Sequence, residues 1–298
     1  MKIVQSLWSK PSLEKDLANN DSRSLGGWLK RKYYYMSWAL SCLRLREYYS
    51  SVELVTDQYG KTLLIDKLKL PYTNVDITLN QLDHYSPYLW TIGKIYTYSI
   101  QKEPFIHVDN DVFIWAKFKP ELEAAFIIAQ NIEDNNLYYK GVLDTVVKDF
   151  VLPEAIRNQI ASNLDNILVS NTGIVGGHRV DFFKRYAELA FEIINSNLNS
   201  LYKVNIGAFS IAVEQYLFYF LAQDENMNVT YLINGSINYE SDARLLKFHE
   251  VPFTTKYIHP VSSFKKNTYI CENVEARLKM EYPEYYYRVN NLINTFQI

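Results

Sequence analysis

A chain of 298 residues that is 48% hydrophobic and 21% charged has the composition of a globular protein, long enough for a core without disulfide or metal staples. A formal net charge of −2 offers no polyanion-binding surface, which excludes nucleic acid as the expected partner. The only cysteines, Cys42 and Cys271, form no CxxC pattern, which excludes a disulfide scaffold or zinc site and points to a reducing cytoplasm.

The opening "MKIVQSLW" has too short an apolar run for a leader and reads as a first strand. No window approaches about 18 uninterrupted apolar residues, so no transmembrane segment is expected. Residues 9–27, "SKPSLEKDLANNDSRSLGG", are polar and read as a loop that could order over a ligand as a lid. Residues 28–49 have helical periodicity. "VELVT" (52–56) reads as a strand ending at Asp57, residues 59–70 as a helix and "NVDITL" (74–79) as the next strand. Residues 90–101 place Ile92, Ile95, Tyr96 and Tyr98 near helical spacing. "PFIHV" (104–108) then reads as a strand with Asp109, Asn110 and Asp111 at its end.

Strands alternating with helices predict an α/β protein with a Rossmann-like, mixed but mainly parallel sheet. Ligands of such sheets bind beyond the carboxyl ends of the strands, where Asp57 and Asp109 both fall. Further on, "LEAAFIIAQNI" (122–132) reads as a buried strand or helix, and residues 144–160 as partly helical. "NILVSNTGIVGGHR" (166–179) reads as strand, turn, strand. Residues 180–195 and 209–222 read as helices, the first strongly amphipathic and the second largely apolar. Short strands are expected within 228–233 and 255–261. There is no repeat and no linker, so one domain over residues 1–298 is expected. Of the 25 tyrosines, many sit in "KYYYMSW" and "EYPEYYYRV", where the ordinary role is half-buried packing with a wet hydroxyl.

Two carboxylates one residue apart beside a core strand ask for an explanation. On an extended chain Asp109 and Asp111 would face the same way, about 6–7 Å apart. Their mutual repulsion and partial desolvation are costly unless a cation joins them. Oxygen ligands suit Mg²⁺ or Mn²⁺, which commonly share their shell with phosphates. The plainer alternative is a turn after a strand, since Asp and Asn favour turns. His107, two residues earlier, reads as a strand histidine.

Five features in order resemble the GT-A nucleotide-sugar glycosyltransferases, closest to the retaining glycogenin and galactosyltransferase-like type (family 8-like). "PFIHVDNDVFIW" resembles the family's D-x-D strand end, Lys94 its basic residue on the preceding helix, and "NTGIVGG" (171–177) its donor-sugar segment. Glu214-Gln215 stands where the family usually has Asp-Gln. "HPVSSFKK" keeps the His-to-Lys spacing of H-x-x-G-x-x-K-P-W through His259 and Lys265, with Ser262 replacing the glycine and Lys266-Asn267 replacing Pro-Trp.

The resemblance implies a GT-A fold with a nucleotide-binding half (1–115) and an acceptor and metal-completing half (116–298). It implies Mn²⁺ or Mg²⁺ on Asp109, Asp111 and His259. It also implies a nucleoside-diphosphate sugar, UDP-sugar before GDP-sugar, held by Lys94, Asp109, Asn171 and Lys265. Asp57 is a weaker candidate for the base. Glu214 and Gln215 become the catalytic pair. The acceptor is open among glycan, lipid, peptide and small molecule. Two rivals stand beside this reading: an aspartate-based phosphohydrolase, and a non-catalytic sugar- or partner-binding protein.

Overall fold

In the computed structural model, residues 1–13, 25–134, 136–237 and 243–298 are described. In chain order they carry β1 (Lys2–Leu7), α1 (Arg31–Tyr48), β2 (Val52–Thr56), β3 (Asn74–Asp76), α2 (Ile92–Ser99), β4 (Phe105–Val108) and β5 (Phe113–Ile114). There follow β6 (Ile127–Glu133), α3 (Asn136–Asp149), α4 (Glu154–Asn163), β7 (Val169–Gly177), α5 (Val180–Ser196) and α6 (Ile206–Asp224). Last come β8 (Val229–Tyr231), β9 (Ser236–Ile237), β10 (Tyr257–Ile258), α7 (Thr268–Glu281) and α8 (Pro283–Asn294). Strand pairings are parallel at β1–β2, β2–β3, β6–β8 and β6–β9 and antiparallel at β6–β7. The protein is therefore α/β with a mixed, mainly parallel sheet arrangement, as the alternation of elements predicts. Among the described residues no helix is long and apolar enough to cross a membrane.

The chain divides into two compact units. The first comprises Met1–Asp83, Val108–Phe118 and Asp242–Ile298. Its strands β1, β2 and β3 run parallel, with Ile3 opposite Val52 and Leu54 opposite Val75. Helix α1 is buried without a break from Tyr33 to Leu45, which explains a sequence that is apolar nearly all round. It shares a core with Phe113, Trp115, Phe248 and Ile258 and with Ile270, Val274 and Leu278 of α7. The tyrosines of "KYYYMSW" belong to this core, whereas Tyr287 of "EYPEYYYRV" is exposed. The short strand β5 pairs antiparallel with β10, setting Ile258 opposite Phe113.

The second unit comprises His84–His107 and Lys119–Ser241. Strand β6 pairs with β7 through a register shift between Ala129 and Asn131. An aromatic core of Tyr98, Phe105, Phe182, Phe183, Tyr186 and Phe218 ties α2, β4, α5 and α6 together. Residues 122–132 resolve to a strand, β6, preceded by one helical turn at Pro120–Glu123.

Three expectations are corrected. Residues 166–179 contain one unbroken strand, β7, instead of two strands and a turn. Its glycines mark close backbone approach: a Cβ on Gly176 would lie 2.1 Å from the Phe105 carbonyl oxygen, and one on Gly177 2.3 Å from that of Phe126. The strand expected over 74–79 stops at Asp76, whose side chain accepts from the Thr78 N–H and opens a 3₁₀ turn over Thr78–Leu82. The helix expected over 59–70 begins as a short α-turn at Gln58–Lys61 and continues as a wider π-turn over Thr62–Lys67. Most of the lid proposed for residues 9–27 (14–24) lies outside the described residues.

Candidate metal and donor site

Strand β4 ends at Val108, and the chain turns at once: the Val112 N–H bonds the Asp109 carbonyl at 3.1 Å. The two aspartates therefore stand on a turn and not on an extended strand. The turn residues Asp and Asn have made the turn they favour, and the turn brings the carboxylates together.

Helix α1 fixes this turn. Ser37, Ser41 and Arg44 lie on one face at i, i+4 and i+7. Ser37 Oγ donates to the Asn110 carbonyl at 2.7 Å, Ser41 Oγ to that of Val112 at 2.7 Å, and Arg44 Nε to that of Ile114 at 2.9 Å. Three successive turns of helix thus hold every second carbonyl of the segment. Gln5 Nε2 of β1 adds a donor to the Asp109 carbonyl at 3.3 Å. These buried polar groups are costly without partners and are satisfied here by backbone.

The β5–β10 register brings His259 to the same place, because the residue after Ile258 falls opposite Val112. Ligand atoms of Asp109, Asp111 and His259 all lie within 4.8 Å of one another. Asp111 and His259 are buried. Asp111 Oδ1 sits 3.3 Å from His259 Nε2, and among the described residues no hydrogen bond to it is formed. Its Oδ2 forms a short ion pair with Lys265 Nζ. Burial pushes the Asp111 carboxyl upward, but the charges of Lys265 and then His259 outweigh it and hold the group well below the usual carboxylate range. A buried carboxylate oxygen lacking a donor, beside a second carboxylate and an imidazole, fits a divalent cation.

Lys265 is held on a 3₁₀ turn, Ser262–Lys266. Ser262 has φ +49°, the left-handed region that glycine adopts without strain. Serine holds that conformation here at some cost. Lys265 Nζ also donates to the Gly26 carbonyl at 3.1 Å, and the Leu29 N–H bonds the Lys265 carbonyl at 3.1 Å. Gly26 and Gly27 have φ +58° and +87°, and a Cβ on Gly26 would meet the Tyr34 ring at 2.6 Å. The glycine pair is what lets this backbone lie against Tyr34 and Lys265.

Asp57 is occupied elsewhere. Its Oδ1 accepts from the Gly60 N–H at 2.7 Å, capping the turn at Gln58–Lys61, and its Oδ2 accepts from the Ser9 N–H at 2.5 Å.

The second unit gathers the remaining candidates. Lys94 of α2 pairs with Glu214 of α6 at 2.5 Å, and Thr172 Oγ1 donates to the same carboxylate at 2.7 Å. Asn171 Nδ2 donates to Glu133 Oε1 at 2.6 Å, while its Oδ1 accepts from the Gly173 N–H at 2.8 Å. Successive strand residues face opposite ways, so Asn171 and Thr172 serve different partners. Gln215 Oε1 accepts from the Tyr139 hydroxyl at 2.5 Å. Burial pushes that hydroxyl up, with Glu133 first among the neighbouring charges and Glu214 after it. His107 is buried, and burial followed by the Lys94 charge lowers its pKa well below the ordinary value, so it is neutral as a strand histidine should be.

A protein family described as "Family of unknown function (DUF6734)" matches residues 1–292. The chain belongs to the DUF6734 family. No curated protein sequence matches it. Solved structures similar to this DUF6734 chain include the galactosyltransferase LgtC in complex with donor and acceptor sugar analogues. That likeness is at 10% identity and TM-score 0.36, over 66% of each chain. An active-site mutant of LgtC is similar at 10% identity and TM-score 0.37, over 65% of this chain and 64% of that one. The apo bifunctional glycosyltransferase WbbM is similar at 11% identity and TM-score 0.34, over 64% of this chain and 34% of that one. The matched part therefore spans just under two thirds of the LgtC chains and about a third of the WbbM chain.

In the DUF6734 chain, several contributors escape a sequence reading. Glu133 and Tyr139 carry no motif. Ser37, Ser41 and Arg44 were legible only as polar residues at helical spacing inside an apolar helix, a signal that could have marked them as buried and paired. The Gly26-Gly27 pair ends the polar segment 9–27 and was available as a sign of positive φ.

Proposed function

We propose that this chain is a metal-dependent glycosyltransferase that moves a sugar from a nucleoside-diphosphate sugar, a UDP-sugar before a GDP-sugar, to an acceptor in the cytoplasm. One observation carries the reading. Asp109, Asp111, His259 and Lys265, picked out by the order of their motifs, converge on one place around the buried Asp111 and His259, although 154 positions separate Asp111 from Lys265. The left-handed Ser262 supports it independently, since it supplies the backbone that the motif's glycine would supply.

Asp109, Asp111 and His259 would hold Mn²⁺ or Mg²⁺. That ion would supply Lewis-acid stabilisation of the leaving diphosphate. Lys265 adds a fixed positive charge on a short 3₁₀ turn, positioned before substrate arrives. In the second unit, Glu214 is the acid proposed to stabilise positive charge at the anomeric carbon, with retention of configuration. Lys94 and Thr172 fix its carboxylate, and Tyr139 fixes the neighbouring Gln215. Asn171, locked between Glu133 and the Gly173 N–H, is proposed to meet the donor sugar. Asp57 is assigned to capping, because both of its oxygens already hold backbone N–H groups.

The test is a panel of nucleotide sugars with and without Mn²⁺, read as released nucleotide. Mn²⁺-dependent release from one donor is expected. If no donor is cleaved and neither UDP nor GDP with Mn²⁺ shifts the melting temperature, the chain is a non-catalytic binding protein. Release of inorganic phosphate from phosphate monoesters would make it a phosphohydrolase.

A further inference from the structure

The ammonium of Lys265 already sits on the carboxylate that the cation site needs. Asp111 Oδ2 holds Lys265 Nζ in a short ion pair, while Oδ1 lies 3.3 Å from His259 Nε2. Among the described residues, the acceptor found for that ammonium apart from Asp111 is a neutral carbonyl, that of Gly26 at 3.1 Å. Lys265 is held from both sides. The Leu29 N–H bonds its carbonyl, Cys271 Sγ donates to the same oxygen at 3.2 Å, and a Cβ on Gly27 would touch its Cδ at 3.2 Å.

We propose that Lys265 is an internal counter-cation of Asp111 that makes the site take up a divalent cation and a diphosphate together in preference to the cation alone. This rests on the metal and diphosphate reading given above. A divalent cation joining Asp109, Asp111 Oδ1 and His259 would share one buried carboxylate with the ammonium on Oδ2. Two cations on the two oxygens of one carboxylate repel, and burial leaves little water to screen them. The cation alone is therefore disfavoured. A diphosphate removes the conflict, because its oxygens offer the ammonium a new anionic partner and offset the added charge. Cation and diphosphate then raise each other's affinity by the same factor, as linkage requires.

Lys265→Gln separates this role from a structural one, because it is expected to move two affinities in opposite directions. Mn²⁺ alone, measured by loss of the free-ion paramagnetic resonance signal, should bind Lys265→Gln at least about ten-fold tighter than wild type. The Mn²⁺ complex of inorganic pyrophosphate, measured by calorimetry, should bind it more weakly than wild type. Lys265→Arg keeps the charge and should stay near wild type in both. Equal or weaker Mn²⁺ binding by Lys265→Gln, with wild type still taking up Mn²⁺ and pyrophosphate, overturns the counter-cation role and leaves the donor-site reading standing. If wild type takes up neither Mn²⁺ nor its pyrophosphate complex, the donor-site reading falls and this inference with it. Should Lys265→Gln not fold, wild type alone decides: Mn²⁺ affinity that pyrophosphate does not raise overturns the proposal.

Discussion

The two polar clusters of this protein are built in opposite ways. In the first unit Asp109, Asp111, His259 and Lys265 stand on turns and beside a two-residue strand, and one buried carboxylate oxygen has no hydrogen-bond donor among the described residues. In the second unit Lys94, Asn171, Thr172, Glu214 and Gln215 stand on helices and a nine-residue strand, where each carboxylate or amide meets a complementary group. The first arrangement has capacity for a cation. The second is already internally compensated and resists rearrangement. A site that must bind and release needs the former, and a site that must hold an acid in one orientation needs the latter.

Removing one member of each cluster should therefore have different consequences. Asp111→Ala should lower Mn²⁺-dependent nucleotide affinity by more than about 100-fold while the far-ultraviolet circular dichroism is retained, since it deletes the carboxylate shared by cation and lysine. Retained affinity would erase the contrast. Lys94→Met should instead act on stability. It leaves the buried Glu214 carboxylate without its counter-charge, at a cost of about 3–5 kcal/mol in urea unfolding. A loss below about 1 kcal/mol would show that the second cluster is looser than its contacts suggest.

Asp57→Ala should cost about 0.5–2 kcal/mol through the lost cap and leave nucleotide affinity unchanged. A drop in affinity would return Asp57 to the donor site. Ser262→Gly should stabilise by up to about 1 kcal/mol, by relieving a left-handed φ, and leave Mn²⁺ uptake intact. The pH dependence of the metal-free protein sharpens the comparison further. The folded Asp111 carboxyl is depressed, so its contribution is present above the unfolded value of about 4 and is lost as pH falls through the folded value. The stability difference between wild type and Asp111→Asn should be level above about pH 5 and narrow as pH falls below about 4.

The legible parts of the fold were those governed by near neighbours. Helical spacing placed α1, α2, α5 and α6, and short apolar runs placed β1, β2 and β4 within a few residues. The turn expected within 166–179 is absent because Gly176 and Gly177 serve partners elsewhere in the chain, the carbonyls of Phe105 and Phe126, which no local pattern reveals. Asp57 looked like a ligand from its place at a strand end, and the same place made it a helix cap. The D-x-D pair was found for a geometric reason that does not hold, an extended strand. The turn preference of the same residues produced the convergence.

By itself, then, the sequence determined the alternation of strands and helices, the turn preference of Asp109–Asp111 and the pool of residue types able to bind a cation. Those follow from backbone preferences and periodicity over a few residues. Only the tertiary structure decided that His259 and Lys265 meet Asp111, that Ser37, Ser41 and Arg44 hold the turn's carbonyls, and that Lys94 neutralises Glu214. Such meetings depend on strand register and core packing between segments 68 to 154 positions apart, and short-range preference carries no information about which buried charge will find which partner.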